Sequence, residues 1–236
     1  MDGSGNAANN PIYINGNGST VNGLPQTITT VTPSFLTTLA VQNSPYRVAI
    51  TPNGNYAYVT NSSSSSVSII QNASSNTPTV LTTLTTGTGP YQIAITPNGN
   101  YAYVANYSAT GTVSVIQNVS TASPTVLTTI TVGSNPYGIA ITPNGNYAYV
   151  ANYVSGTVTV IQDASSATPT VLTTLTTGTS AYNIVHTPNG NYAYVTNYGS
   201  TSISFIINAS NVGINISSNY GDLNVFYNGT QWLAYP

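Results

Sequence analysis

Alternation of apolar and polar positions is the first order in this chain. Tyr56, Ala57, Tyr58 and Val59 alternate by size, and Val67 and Ile69 alternate with Ser68, as strands with two different faces do. The run Val48-Ala-Ile50 is apolar throughout, the pattern of a strand buried on both sides. Between the first two strands lies Thr51-Pro-Asn-Gly-Asn. Pro52 suits the second position of a type I turn, Asn53 the third, and Gly54 the positive φ that closes a bulged hairpin. One unit therefore reads as strands at 47–51, 56–60, 67–71 and 79–84.

That unit repeats. Thr51-Pro-Asn-Gly-Asn-Tyr-Ala-Tyr-Val59 recurs at 96–104, 142–150 and 187–195, at intervals of 45, 46 and 45 residues. This is the length of a four-stranded propeller blade. The expected fold is an all-β propeller of antiparallel blades, with clear repeats at 46–90, 91–136, 137–181 and 182–219. Third strands fall at 113–117, 158–162 and 203–207 in the later copies. The ends read as fragments of a further blade. Residues 26–31 and 34–39 are a third and fourth strand without a beginning, 213–216 suit the fourth strand of the last repeat, and 220–235 form a worn first and second strand. Joining 220–236 with 25–45 makes five blades whose termini share one blade and removes open edges. The alternative is four blades with free terminal strands. On this reading 25–236 is one propeller domain. Residues 1–24, rich in Gly and Asn with short β-like runs at 12–14 and 19–21, form a tail able to add a strand to a neighbouring molecule.

Composition changes the picture of the surface. In 236 residues only 2% are charged, against 40% hydrophobic, and the net charge is −2. Thr, Ser, Asn, Gly and Tyr hold the positions that Lys and Glu usually fill, so charge repulsion does not keep copies apart. One Arg and no Lys exclude a nucleic-acid partner. No apolar run reaches the length of a membrane span, and no basic start followed by an apolar stretch marks a signal peptide. Absence of Cys removes disulfide and thiol chemistry. With so few carboxylates, stability is expected to change little in acid.

Sequons occur at Asn17, Asn61, Asn72, Asn106, Asn118, Asn208, Asn215 and Asn228, each a candidate for N-glycosylation. Asn72, Asn118 and Asn208 share one place after the third strand, with Asp163 in the remaining repeat. Asn61 and Asn106 share another after the second strand.

Tyr56-Ala-Tyr-Val-Thr-Asn61, its copy at 192–197, and Tyr-Ala-Tyr-Val-Ala-Asn at 101–106 and 147–152 resemble the YVTN-type β-propeller repeat. The preceding Pro-Tyr-x-Ile-Ala-Ile-Thr-Pro-Asn-Gly is similar to it too. The resemblance covers about 46–207 and implies a propeller of a kind common in surface-layer and other cell-surface proteins. It implies no single activity, because the shared residues build blades.

Chemistry has few residues to draw on. Arg47 precedes an inner strand, His186 replaces an Ile of one inner strand, and Asp222 precedes that of the worn copy. These three are the candidate polar site on the axis. Tyr107, Tyr153 and Tyr198, each following a second strand, are a candidate aromatic rim for glycans. Main-chain and amide oxygens on the axis suit a hard cation such as Ca²⁺, but no metal or cofactor is expected. The expectation is a non-catalytic extracellular structural protein, a glycosylated subunit of a surface layer or filament joined to copies of itself through its terminal segment. A cell-surface adhesin or glycan-binding propeller is the alternative, and a lactonase-like hydrolase the second.

Overall fold

In the computed structural model the described residues are 33–207, together with the backbone of Thr20–Val21, Leu24–Pro25, Asn215–Ser218, Gly221–Tyr227 and Trp232–Tyr235. The chain forms two units, 1–37 and 38–236. In the first, Thr20–Val21 pairs with Leu24–Pro25 as a short antiparallel hairpin.

The second unit holds the blades, and the fold is an all-β propeller of antiparallel sheets. Pro45–Ile50, Tyr56–Asn61, Ser66–Gln71 and Thr79–Thr85 form the first sheet in chain order. Pro90–Ile95, Tyr101–Asn106, Thr112–Gln117 and Thr125–Thr131 form the second. The third is Pro136–Ile141, Tyr147–Asn152, Thr157–Gln162 and Thr170–Thr176. Ala181–His186, Tyr192–Asn197 and Ser202–Ile207 make the fourth. First strands of consecutive sheets lie side by side, Pro45–Ile50 by Pro90–Ile95, then Pro136–Ile141, then Ala181–His186.

Each sheet begins with the same hairpin. Gly54 N–H donates to the Thr51 carbonyl at 2.8 Å, and Gly54 has φ +74, a conformation that favours glycine. The Thr51 hydroxyl donates to Asn53 Oδ1 at 2.7 Å and accepts from Tyr56 N–H at 3.1 Å. Thr96, Thr142 and Thr187 repeat both bonds.

Joints between sheets carry the core. Tyr58, Val67 and Ile69 pack on Ile93, Ala102, Val104 and Ile116 of the next sheet. Equivalent clusters join the second sheet to the third and the third to the fourth. Burying a tyrosine ring in such a joint removes a large apolar area from water and requires a partner for its hydroxyl. Two main-chain carbonyls of the following sheets' third-strand turns supply one.

The ends differ from the sequence reading. Ser34–Leu39, expected as a strand, carries no strand. Asn215–Ser218 pairs with Gly221–Tyr227, which pairs onward with Trp232–Tyr235 in a separate three-stranded sheet. The segment read as a fourth strand of the last repeat therefore belongs to another sheet. Residues 26–31, the expected companions of 232–235, lie outside the described residues.

Candidate functional site

Antiparallel pairing puts the start of a first strand beside the end of its second strand: Pro45 faces Asn61, and Ala181 faces Asn197. Two columns of tyrosine consequently meet at one end of the blades. Tyr46, Tyr91, Tyr137 and Tyr182 stand at the second position of the first strands. Tyr107, Tyr153 and Tyr198 follow the second strands, with Ser62 at that place in the first repeat.

The rings form one continuous cluster. Tyr46 stacks on Tyr91 at 4.5 Å, Tyr91 on Tyr107 at 4.8 Å, Tyr137 on Tyr182 at 4.0 Å and Tyr182 on Tyr198 at 5.4 Å. Tyr137 meets Tyr91 edge-on at 5.2 Å. Together the seven rings line an open cavity of about 310 Å³, within the range of small-molecule sites. Three of their hydroxyls converge. Tyr182 donates to the Tyr137 oxygen at 2.6 Å, and Tyr137 and Tyr46 share a second hydrogen bond.

Burial, then the hydrogen bonds to Tyr182 and Tyr46, push the Tyr137 hydroxyl well above the usual tyrosine range. Burial, then the neighbouring phenols, push Tyr91 up as well. The cavity thus offers O–H donors and ring faces rather than charge. Arg47 adjoins this cluster. Its guanidinium lies 5.0 Å from the Tyr46 ring centre, and its Nε donates to Gln92 Oε1 at 3.2 Å.

Of the expected axial site of Arg47, His186 and Asp222, the two residues with described side chains stand at different levels of their strands. Arg47 follows Tyr46 at the tyrosine end. His186 ends its own strand four residues beyond Tyr182, about 13 Å further along. There it sits edge-on to Tyr149 at 4.8 Å. Burial lowers the His186 pKa, opposed by a hydrogen bond to the Ala140 backbone, so the ring is neutral. Asp222 lies outside the residues whose side chains are described. Among the described residues, no three His, Cys, Asp or Glu side chains cluster in a metal-binding group.

The rim tyrosines are where the sequence placed them, after the second strands. Tyr107 and Tyr153 are half-buried and Tyr198 is exposed. What the sequence reading missed is their union with the first-strand tyrosines Tyr46, Tyr91, Tyr137 and Tyr182. The signal was present in the pairing, since the start of one strand and the end of the next must be neighbours.

Burial separates the sequons. Asn61 and Asn106 are fully buried, and each Nδ2 donates to two hydroxyls of the third strand, Ser66 and Ser68 or Thr112 and Ser114. A glycan on either is incompatible with the folded sheet. Asn72 and Asn118 are exposed at left-handed turns, with φ 57 and 59. Asn17, Asn208, Asn215 and Asn228 lie outside the residues whose side chains are described.

Comparison with known proteins bears on this site. Residues 24–129 match the family model "Lactonase, 7-bladed beta-propeller". Among solved structures, the chain is similar to Kuenenia stuttgartiensis hydrazine synthase, at 25% identity and TM-score 0.62, over 73% of this chain and 48% of that one. A putative 6-phosphogluconolactonase of Bacteroides uniformis is 19% identical with TM-score 0.63, over 80% and 55% of the two chains. A periplasmic gluconolactonase of Pseudomonas aeruginosa is 17% identical with TM-score 0.60, over 69% and 49%. This chain spans about half the length of these structures. No protein of curated function matches it.

These findings correct three expectations. The family model that fits is a lactonase propeller, not the YVTN-type surface-layer family to which the repeat motif pointed. The reading as a non-catalytic subunit of a surface layer or filament, with an adhesin as its alternative, is overturned by the same match. So is the expectation that the chain is not an enzyme. Blade-building residues dominate the repeat, so their likeness to one group of propellers did not discriminate between functions.

Proposed function

We propose that the protein is a hydrolase of small uncharged lactones, with the tyrosine-lined cavity as its site. The observation that carries this reading is the Tyr137 hydroxyl, held between those of Tyr46 and Tyr182 within the cluster of stacked rings. The lactonase family match over 24–129 and the gluconolactonase-like neighbours support it.

The chemistry follows from neutral donors. A lactone ring lies on the tyrosine faces, where its C–H surface replaces water. Tyr182 donates to Tyr137, and with Tyr46 donating to it as well the Tyr137 proton is left for the lactone carbonyl oxygen. Water attacks the carbonyl carbon, the oxygen takes on negative charge, and the phenol hydrogen bond strengthens as that charge develops. Collapse breaks the ring C–O bond, and the proton lost by the attacking water ends on the released alkoxide. The product is the open hydroxy acid. A phosphorylated lactone suits this site poorly, because the cavity lacks the charged donors that hold a phosphate dianion. By analogy with the periplasmic neighbour, a location outside the cytoplasm goes with this proposal. Among the described residues no helix is long and apolar enough to cross a membrane.

The test is hydrolysis of an aldono-δ-lactone by the purified chain, followed by acid release against the spontaneous rate. Saturable catalysis that falls about a hundredfold in kcat on Tyr137→Phe is the expected result. A rate equal to buffer, with no saturable binding, overturns the proposal.

A further inference from the structure

Each joint inside the propeller has a leading face and a receiving face. The leading face comes from the second and third strands of one sheet, as with Tyr103, Val113 and Val115. The receiving face is the next sheet's Ile139, Ala148, Val150 and Ile161. Both ends of the array present one of these faces with nothing of the described chain upon it. At the front, Val48 occupies the place of Ile93, Ile139 and Ile184. It is 63% exposed where Ile93 is 4% exposed, and Ile50 beside it is also exposed. At the back, Phe205 occupies the place of Ile69, Val115 and Val160. It is 62% exposed where Ile69 and Val115 are fully buried, and Tyr194 and Ile203 are exposed around it. Contiguous apolar surface of this kind marks a contact site. The repeat shows which surface covers it, since each end face is a near-copy of one half of a joint the chain already makes three times.

We propose that two copies of this chain pair end to end, the fourth-sheet face of each seating on the first-sheet face of the other. A two-fold axis makes the two joints identical, and a closed pair cannot grow. Four main sheets from each copy total eight, within the range of closed propellers. Charge does not oppose the contact, because the net charge is −2 and the one basic side chain, Arg47, is hydrogen-bonded to Gln92 of its own copy.

Sedimentation equilibrium and light scattering of the intact chain test this. A dimer is expected, and Val48→Asp or Phe205→Asp should each weaken it at least about thirtyfold. Both positions are exposed within one chain, so each variant should keep the β circular dichroism and melting behaviour of the monomer. Mixing the two variants should restore a weaker heterodimer, because the intact back face of one meets the intact front face of the other. A monomer up to the solubility limit, an open-ended polymer, or a dimer indifferent to both substitutions overturns the proposal. So does a monomer in which Phe205→Asp lowers stability, since the chain's own terminal segments then cover that face.

Discussion

The Tyr58 hydroxyl donates to the Val119 carbonyl at 2.9 Å, across a sheet boundary and 61 residues along the chain, and Tyr103 makes the same bond to Ala164. Each bond fastens the middle of one sheet to the third-strand turn of the next. Both rings are fully buried, so the carbonyl has no water to replace a lost donor. Tyr58→Phe or Tyr103→Phe should cost about 1–3 kcal/mol, the penalty for a buried acceptor left unpaired. Tyr194 holds the equivalent place on the end face, and in a chain kept monomeric by Val48→Asp, Tyr194→Phe should stay within about 0.5 kcal/mol. Urea unfolding of the three variants measures the difference. Equal losses would show that the hydroxyl is not what fastens the sheets.

A second prediction concerns space rather than bonding. A β-carbon on Gly87 would stand 2.5 Å from Asn106 Nδ2, and Gly133 and Gly178 crowd Asn152 and Asn197 in the same way. Their backbone angles are ordinary, so the requirement for glycine comes from the buried amide alone. Gly87→Ala should destabilise by about 1–3 kcal/mol through overpacking. Adding Asn106→Ala removes the crowded group, so the double variant should be more stable than the sum of the single losses. Additive losses in that cycle would contradict the contact.

Within the cavity, ring stacking and the hydroxyl chain should separate kinetically. Tyr91 stacks on Tyr46 and Tyr107, so Tyr91→Ala should raise KM more than it lowers kcat. Tyr137→Phe keeps the ring and removes the donor, so its loss should fall on kcat. A Tyr137→Phe enzyme with unchanged kcat and a raised KM would move that hydroxyl from catalysis to binding.

The sequence made the blades legible because every level of it agreed. Thr51, Pro52, Asn53 and Gly54 specify one turn, and alternation in Tyr56–Asn61 specifies one strand with two packed faces. The period then fixed how such units stack. The ends were harder, since Asn215–Ser218 pairs with Gly221–Tyr227, a partner no repeat copy foretold. Sequon spacing could not reveal that Asn61 and Asn106 point inward to strand hydroxyls. The cavity was half legible: Tyr107, Tyr153 and Tyr198 stood out as a column, but nothing in the pattern marked Tyr46, Tyr91, Tyr137 and Tyr182 as its other half. Only the antiparallel register joins the two columns.

Stability should depend on pH through few groups, each with a definite sign. Burial lowers the His186 pKa below its ordinary 6.5. Below that pH the unfolded chain takes up a proton that the folded chain refuses. Stability therefore falls as pH drops from about 6.5 until His186 titrates in the fold, with a slope of at most about 1.4 kcal/mol per pH unit. His186→Ile restores the residue that Ile50, Ile95 and Ile141 hold in the other repeats and should flatten that limb. At the alkaline end the sign reverses. Burial raises the Tyr58, Tyr103 and Tyr137 hydroxyls above 10. Above that pH the unfolded chain releases protons that the fold retains, and stability falls as pH rises. Urea midpoints between pH 4 and 11 should trace a plateau with a shallow acid shoulder and a steep alkaline edge, and His186→Ile should remove only the shoulder. An acid limb that survives His186→Ile would assign it to the carboxylates instead.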